Sequence, residues 1–303
     1  MPHACATQRN PASQTNVLRT GHPLRTGYAG EYGQVLDFPE AGVRFFLLQK
    51  KGKMSISVRT CELNEISSLR TRYRAEMDCQ IIHDSIHIRP GWSREYGLEI
   101  DGALVGYGSV AIAGPWKEES TLYEFCVDEP SRQHTFDLFA ALRTQCSARK
   151  IETQTNDPFL SVMTHTFGQN IHADAILFED QFETHYAPEG VVFRAREAGD
   201  IDELIKLELD DTAGWVITQA GAITGAGGVL YHYNPPYGDV YMKVAVPYQG
   251  RGLGVFLVQE LKRACRAAGN IPAARCNVKN LASRKTLQKA GFVPCGNMIS
   301  ADL

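Results

Sequence analysis

Asp239–Gly254 reads DVYMKVAVPYQGRGLG. Its first part, Asp239–Val246, carries three valines and a tyrosine and is expected to be a strand. It runs into Gln249-Gly250-Arg251-Gly252-Leu253-Gly254, and a helical stretch, Leu253–Ala268, begins at once. Glycines let a backbone approach a phosphate closely and turn its N–H groups inward. A helix N-terminus adds uncapped donors and a partial positive charge. The expected product is a pyrophosphate cradle that needs no lysine. Neither the GxGxxG spacing of dinucleotide sites nor the Gly-Lys-Ser/Thr of a P-loop is present.

Outward from this segment the chain reads as strands alternating with helices. Ahead of it, Val192–Arg196 is a strand and Ile201–Leu209 a short helix. Trp215–Gln219 and Ala222–Tyr231 form a hairpin around Ala220-Gly221. Behind it, Ala273–Val278 is a strand and Ser283–Ala290 a helix. The same order occurs once before. Ser55–Thr60 is a strand, and Leu63–Met77 a helix with Leu63, Ile66, Leu69 and Tyr73 on one face. Tyr96–Ile100 and Ala103–Ala111 form a hairpin around Asp101-Gly102. Thr121–Val127 is a strand, Phe136–Cys146 a helix and Lys150–Thr155 a strand. Gly102 and Gly221 lie 119 apart, Pro130 and Pro247 117 apart, and Asn156 and Asn280 124 apart. Near-constant offsets point to an internal duplication, with a boundary in the turn cluster Thr184–Glu189.

Composition sets the frame. The chain has 303 residues, 44% hydrophobic and 21% charged, with a formal net charge of −3. That balance gives no global attraction to nucleic acid or to an anionic membrane, and no apolar run is long enough to span a bilayer. The eight cysteines are scattered with no CxxC spacing, so a metal site is not expected and a reduced, cytoplasmic protein is. Residues 1–53 are rich in Thr, Gly, Pro, Arg and Gln, with little periodicity apart from Val43–Leu48. They are basic and acid-poor in the manner of a transit peptide, but the plainer expectation is a poorly ordered extension.

The cradle segment resembles the GNAT superfamily of acyl-CoA-dependent N-acyltransferases. The family's Q/R-x-x-G-x-G/A signature matches Gln249, Gly252 and Gly254. Its next motif, a strand, an asparagine and a short helix ending in Gly-Phe, matches AARCNVKNLASRKTLQKAGF at Ala273–Phe292, with Asn280, Ser283, Gly291 and Phe292 in place. The resemblance is close over about residues 191–303 and looser over 54–183, through the repeat. It implies an α/β (α+β) protein with two GNAT-like domains, 54–186 and 187–303, each a mixed, mostly antiparallel sheet flanked by helices. It also implies acetyl-CoA as co-substrate. Gln249, Gly250, Arg251, Gly252, Leu253 and Gly254 would bind the pyrophosphate. The backbone of Val244 and Val246 would pair with pantetheine where the fourth and fifth strands splay, and Asn280 and Ser283 would meet the pantetheine arm. Arg284 and Lys285 are further candidates for CoA phosphates.

Two departures from the family matter. The tyrosine acid that many members carry seven residues after the asparagine is Leu287 here, and a glutamate base on the fifth strand falls near Arg275. Tyr241, Asp239, His232 and Tyr233 remain as acid–base candidates, with Cys276 and Ser283 as donors to a leaving thiolate; a water chain would also serve. Tyr241 and Ser283 are the catalytic candidates carried forward. In the first repeat the 117 offset aligns Gly252 with Thr135 and Gly254 with Asp137. That copy is expected to have lost CoA binding and either to shape the acceptor site or to act as structural support. The leading expectation is transfer of an acetyl group to a primary amine, on a small molecule or a peptide, by direct attack in a ternary complex. The alternative is a non-catalytic acyl-CoA-binding or sensor protein.

Overall fold

The computed structural model describes residues 54–77 and 79–303. The extension expected over 1–53, Val43–Leu48 included, lies outside the described residues. The first half runs β1 (Ile56–Cys61), α1 (Ser67–Glu76), β2 (Ser93–Ile100), β3 (Ala103–Ala111), β4 (Thr121–Val127), α2 (Thr135–Cys146), β5 (Lys150–Gln154), α3 (Pro158–Phe167) and β6 (Gln169–Asp180). The second runs β7 (Val191–Ala195), α4 (Ile201–Lys206), β8 (Trp215–Gln219), β9 (Ala222–Leu230), β10 (Tyr237–Val244), α5 (Leu253–Ala267), β11 (Ile271–Asn277), α6 (Leu281–Lys289) and β12 (Phe292–Asp302).

All twelve strands join one mostly antiparallel sheet flanked by helices, in the order β1-β2-β3-β4-β5-β12-β6-β11-β10-β9-β8-β7. The order is a palindrome with an exchange at its centre. β12, the last strand of the second half, pairs with β5 of the first, and β6 pairs with β11 of the second. β6 and β12 then pair with each other from Phe292↔Asp180 to Asp302↔Gln169, through three register shifts. The sheet therefore runs across the boundary expected at 184–189, and the described residues pack as one unit. β4–β5 and β10–β11 are the parallel pairs.

Local chemistry accounts for most boundaries. Asp101 and Gly102 have φ of 51° and 80°, and Ala220 and Gly221 52° and 82°, the left-handed pairs that two-residue hairpins require. α1 starts at Ser67 rather than Leu63, yet it keeps Ile66, Leu69 and Tyr73 buried. α4 stops at Lys206, before Glu208 turns to φ 54°. β10 stops at Val244 because Pro247 cannot donate to a ladder and instead seeds a 3-10 turn at Val246–Tyr248. Each half has its own apolar core, one around Phe125, Phe139 and Leu142 and one around Val240, Leu257 and Leu261. A smaller cluster of Cys79, Ile82 and Leu177, flanked by Cys295 and Met298, fills the seam.

The first half also buries an ion network. Arg70 pairs with Asp84 and, at 3.4 Å, with Glu124. His87 bridges Glu95 at 2.9 Å and Glu124 at 3.0 Å, and Tyr107 donates to Glu124 at 2.9 Å. Burial alone would lower the His87 pKa, but the charge of Glu124 and hydrogen bonds to Glu124 and Glu95 outweigh it and raise it to about 9. Burial would raise Glu124; His87, Arg70 and Tyr107 hold it down at about 2. A histidine raised in the folded state stabilises fully below its unfolded pKa, near 6.5, and loses that contribution as pH rises through the folded value. The stability difference between wild type and His87→Gln, from urea denaturation, is therefore expected to be large at pH 6.5, about 3 kcal/mol for one broken buried pair, and to shrink as pH passes about 9. A difference constant from pH 6 to 10 would show that His87 is not a buried imidazolium.

Candidate active site

β10 and β11 part company halfway along. They pair only over Tyr237–Val240 and Ile271–Ala274. β10 stays on β9 to Val244, and β11 stays on β6 to Asn277. The edges Tyr241–Val244 and Arg275–Asn277 thus face each other without a ladder, each anchored on its far side. At the apex of the gap lies a cavity of ≈190 Å³ lined by Asp239, Tyr241, Met242, Arg275, Ser283 and Leu287 among others. Gly254 lets the start of α5 close over the gap: a Cβ there would lie 3.2 Å from Met242 and 3.3 Å from Thr286.

The loop into α5 is built from backbone. Gln249 is extended, and Gly250 and Gly252 take φ of 77° and 80°. Gln249 Nε2 donates to Val244 O at 2.9 Å and Arg251 Nη2 to Pro247 O at 3.0 Å, which tie the loop to the end of β10. The first helical bond is Val255 N to Gly252 O. Among the described residues, the amides of Gly250, Arg251, Gly252, Leu253 and Gly254 donate to no protein acceptor. Five free N–H groups at the positive end of a 15-residue helix form an anion site. Val246 lies past the strand end, 71% exposed. Asn280 caps α6, its Oδ1 accepting from Ser283 N at 3.0 Å.

The apex carries the titratable groups. Asp239 is 3% exposed. Its Oδ2 lies 3.5 Å from Arg275 Nε, and its Oδ1 accepts from Gln80 Nε2 at 3.4 Å. Burial pushes this carboxyl up to about 6, against the pull of Arg275 and the Gln80 hydrogen bond. Tyr241 is raised to about 12 by burial and by its hydrogen bond to Asp210. Ser283 hydrogen-bonds Cys276, whose thiol is pushed up by burial. Tyr233 OH accepts from Arg275 Nη2 at 2.8 Å, and the His232 ring lies against Tyr233, tilted by 40°. Leu287 is buried against the α5 core.

The structure brings Asp239, Tyr241 and Ser283 to one cavity and leaves Asn280 and Val246 outside its lining. It adds residues that carry no signal in the sequence. Gln80, fully buried, comes from the segment between α1 and β2 of the first half and also donates to Ala274 O at 3.2 Å. Tyr186 lies on the linker between the halves, its ring against Gly252 and its hydroxyl 3.3 Å from Arg251 O.

The matching place in the first half is organised differently. β4 and β5 pair only at Thr121–Leu122, so they also part. Here the chain's own groups fill the gap. Tyr73 donates to Asp157 at 3.0 Å, and Gln154 bonds Ile82 N at 2.6 Å and Gln80 O at 2.7 Å. The loop after β4 is a 3-10 helix, Glu129–His134, that runs straight into α2, with Thr135 at φ −53°. Asp128 accepts from Ser131 N and Arg132 O from Thr135 N, so these amides turn into the loop.

Residues 176–292 match the model of the Acetyltransferase (GNAT) family. The match opens inside β6 and closes at the first residue of β12, so it spans the second half from β7 to α6 together with the last five residues of the first-half strand β6. Among solved structures, an acetyltransferase of the GNAT family from Colwellia psychrerythraea superposes with a TM-score of 0.68 at 13% identity, covering 82% of this chain and 99% of that one. A tandem GNAT protein from the clavulanic acid biosynthesis pathway gives 0.56 at 13% identity, with 82% and 98% covered. A GCN5-related N-acetyltransferase from Sphaerobacter thermophilus gives 0.52 at 12%, with 82% and 95% covered. At these identities the likeness is one of fold. No curated protein matches. Among the described residues no cluster of His, Cys, Asp and Glu could hold a metal, and no helix is long and apolar enough to cross a membrane.

Gly250 offers the cleanest probe of the anion site, because a Cβ there meets nothing within 4 Å. Gly250→Asp is expected to cost about 1 kcal/mol for its left-handed backbone and to abolish the rise in Tm caused by acetyl-CoA. A full ligand-induced rise would show that the loop does not hold the pyrophosphate. Gly252 is a poorer choice, since any Cβ there would lie 2.5 Å from Tyr186 Oη.

Proposed function

We propose that the protein transfers an acetyl group from acetyl-CoA to a primary amine, on a small molecule or peptide, by direct attack in a ternary complex. The observation that carries this reading is the meeting of a strand gap with five unsatisfied amides at a helix N-terminus. Gly250–Gly254 hold the pyrophosphate through backbone N–H groups, with Gln249 tying the loop to β10. The free edge of β10 up to Val244 pairs with the amides of pantetheine as an added strand would. Val246 guides the arm at the mouth, and Asn280 and Ser283 flank it on α6.

Acetyl-CoA supplies the activated thioester. The amine must be neutral to attack, and Asp239 is the group suited to take its proton, being buried at the apex with a pKa of about 6 and so ionised near neutrality. The N–C bond forms, the C–S bond breaks and the thiolate leaves. Tyr241, protonated up to about pH 12, or Ser283 returns a proton to it. The first half is read as a degenerate copy. Its filled gap and inward-turned loop support a single equivalent of acetyl-CoA per chain, and Gln80 is its contribution to the working site. We place the protein in the cytoplasm, where buried thiols such as Cys126 and Cys265 stay reduced.

With acetyl-CoA and an accepted amine, kcat/KM is expected to rise with pH through about 6, the free-enzyme value of Asp239. Asp239→Asn is expected to remove that inflection and lower kcat by roughly 10²–10⁴. Gln80→Leu removes a hydrogen bond that lowers the Asp239 pKa, so its inflection should move to higher pH. An Asp239→Asn enzyme of wild-type rate would assign the proton to another group.

A further inference from the structure

Asp239 is not alone at the apex. Arg275 stands beside it with Nε 3.5 Å from the carboxylate, and both line the same cavity. The guanidinium is fixed on one side only: Nη2 donates to Tyr233 OH at 2.8 Å, and the Tyr233 ring lies 5.2 Å from the guanidinium carbon. Among the described residues Nη1 has no protein acceptor, and the side chain is 32% exposed. An arginine held in this way presents part of a planar fork to an incoming carboxylate.

Among the described residues Asp239 is the one carboxylate in ion-pair distance of that charge. His83 and His232 are both driven toward the neutral form: His83 by burial and then Arg275, against the pull of Glu152, and His232 by burial, Arg89 and then Arg275. Glu152 accepts from Trp116 Nε1 at 2.9 Å and lies 3.4 Å from His83 Nε2. The apex therefore offers one anionic and one cationic group side by side. Its cavity, at ≈190 Å³, is smaller than the roughly 300 Å³ at which ordinary ligand pockets begin. A small zwitterion has the complementary pattern: an amine for Asp239 and, on the adjacent carbon, a carboxylate for Arg275.

We propose that the acceptor is a free α-amino acid, its carboxylate held by Arg275 and its amine turned to Asp239. This rests on the transferase reading above. It excludes peptide N-termini, in which the neighbouring carboxyl is an amide.

The test uses the full chain saturated with CoA, and in parallel without it. Calorimetry compares free amino acids with their own carboxamides and decarboxylated amines, and thiol release from acetyl-CoA is followed with the same set. At least one amino acid should bind about tenfold or more tighter than its carboxamide, the increment of a charge-assisted hydrogen bond, and should react in preference to it. Arg275→Gln should bring the acid-to-amide ratio to about one, and Arg275→Lys should keep part of the preference. Carboxamides or plain amines that bind and react as well as the acids would overturn the proposal, as would a panel in which no amino acid binds in either form. The Tm rise with acetyl-CoA, measured alongside, separates the two levels. Its absence would sink the transferase reading, whereas its presence without acid preference would sink only the acceptor. The wild-type comparison stands even if Arg275→Gln does not fold.

Discussion

The exchange of β6 and β12 is the constraint from which the rest of the molecule follows. A parallel pair of strands that separates in mid-sheet exposes two rows of backbone donors and acceptors, and unpaired edges are costly unless kept short. Here the separating strands are each secured from behind. β11 is paired along β6 through Ala273–Asn277, and β10 along β9 through Asp239–Val244. Because β6 belongs to the first half, the second half cannot hold its gap open without it. The boundaries of the family match, from Ile176 to Phe292, trace the same dependence.

The exchange also dictates the path of the linker. β6 lies at the centre of the sheet and β7 at its edge, five strand spacings away. At ~4.8 Å each this is ~24 Å, against a reach of about 33 Å for the residues 181–190 that join them. So short a crossing leaves little slack, and the linker is pinned along α5. Lys262 holds Phe182 O at 2.8 Å, Arg263 holds Thr184 O at 3.0 Å, and Gln259 takes both backbone groups of Tyr186, at 2.9 and 3.0 Å. Tyr186 consequently arrives at the N-terminus of α5, over Gly252. A glycine that the sequence suggests for phosphate approach is thus required for a second reason, to admit this ring.

What could be read in the sequence was whatever local chemistry decides. The hairpins at Asp101-Gly102 and Ala220-Gly221, the loop at Gln249–Gly254 and the cap at Asn280 are each specified within a few residues. β12 was illegible because FVPCGNMISAD carries Pro294 and Gly296, which read as strand breakers; in the fold they sit at a bulge where the register with β6 shifts. β6, rich in Asn, His, Asp and Ala, lacks strand propensity over most of its length and buries only Leu177 and Phe178. α3 did have signals, a cap at Asp157 and a proline at its first turn, but it is one short helix of ten residues. Gln80 and Tyr186 are functional only through topology, and no spacing along the chain announces them.

The two halves show how one strand position can be turned to opposite uses. At the 117 offset, Glu124 in β4 corresponds to Tyr241 in β10. Glu124 has no solvent exposure and is surrounded by Arg70, His87 and Tyr107, which keep it ionised and fully committed to structure. A carboxylate so stabilised has no tendency to take up a proton near neutrality. In the second half the carboxylate is Asp239, two positions earlier, with a single ion-pair partner at 3.5 Å and burial that raises its pKa. It is left close to the pH at which a base can both be ionised and hold a proton. Gln80 connects the two arrangements. Its amide donates to Ala274 O, at the last ladder position before β11 leaves β10, and to Asp239 beside it. One side chain from the first half thereby caps the end of the paired strands and supplies a hydrogen bond to the carboxylate. Removal of that half would thus open the apex even if the cradle at α5 stayed intact.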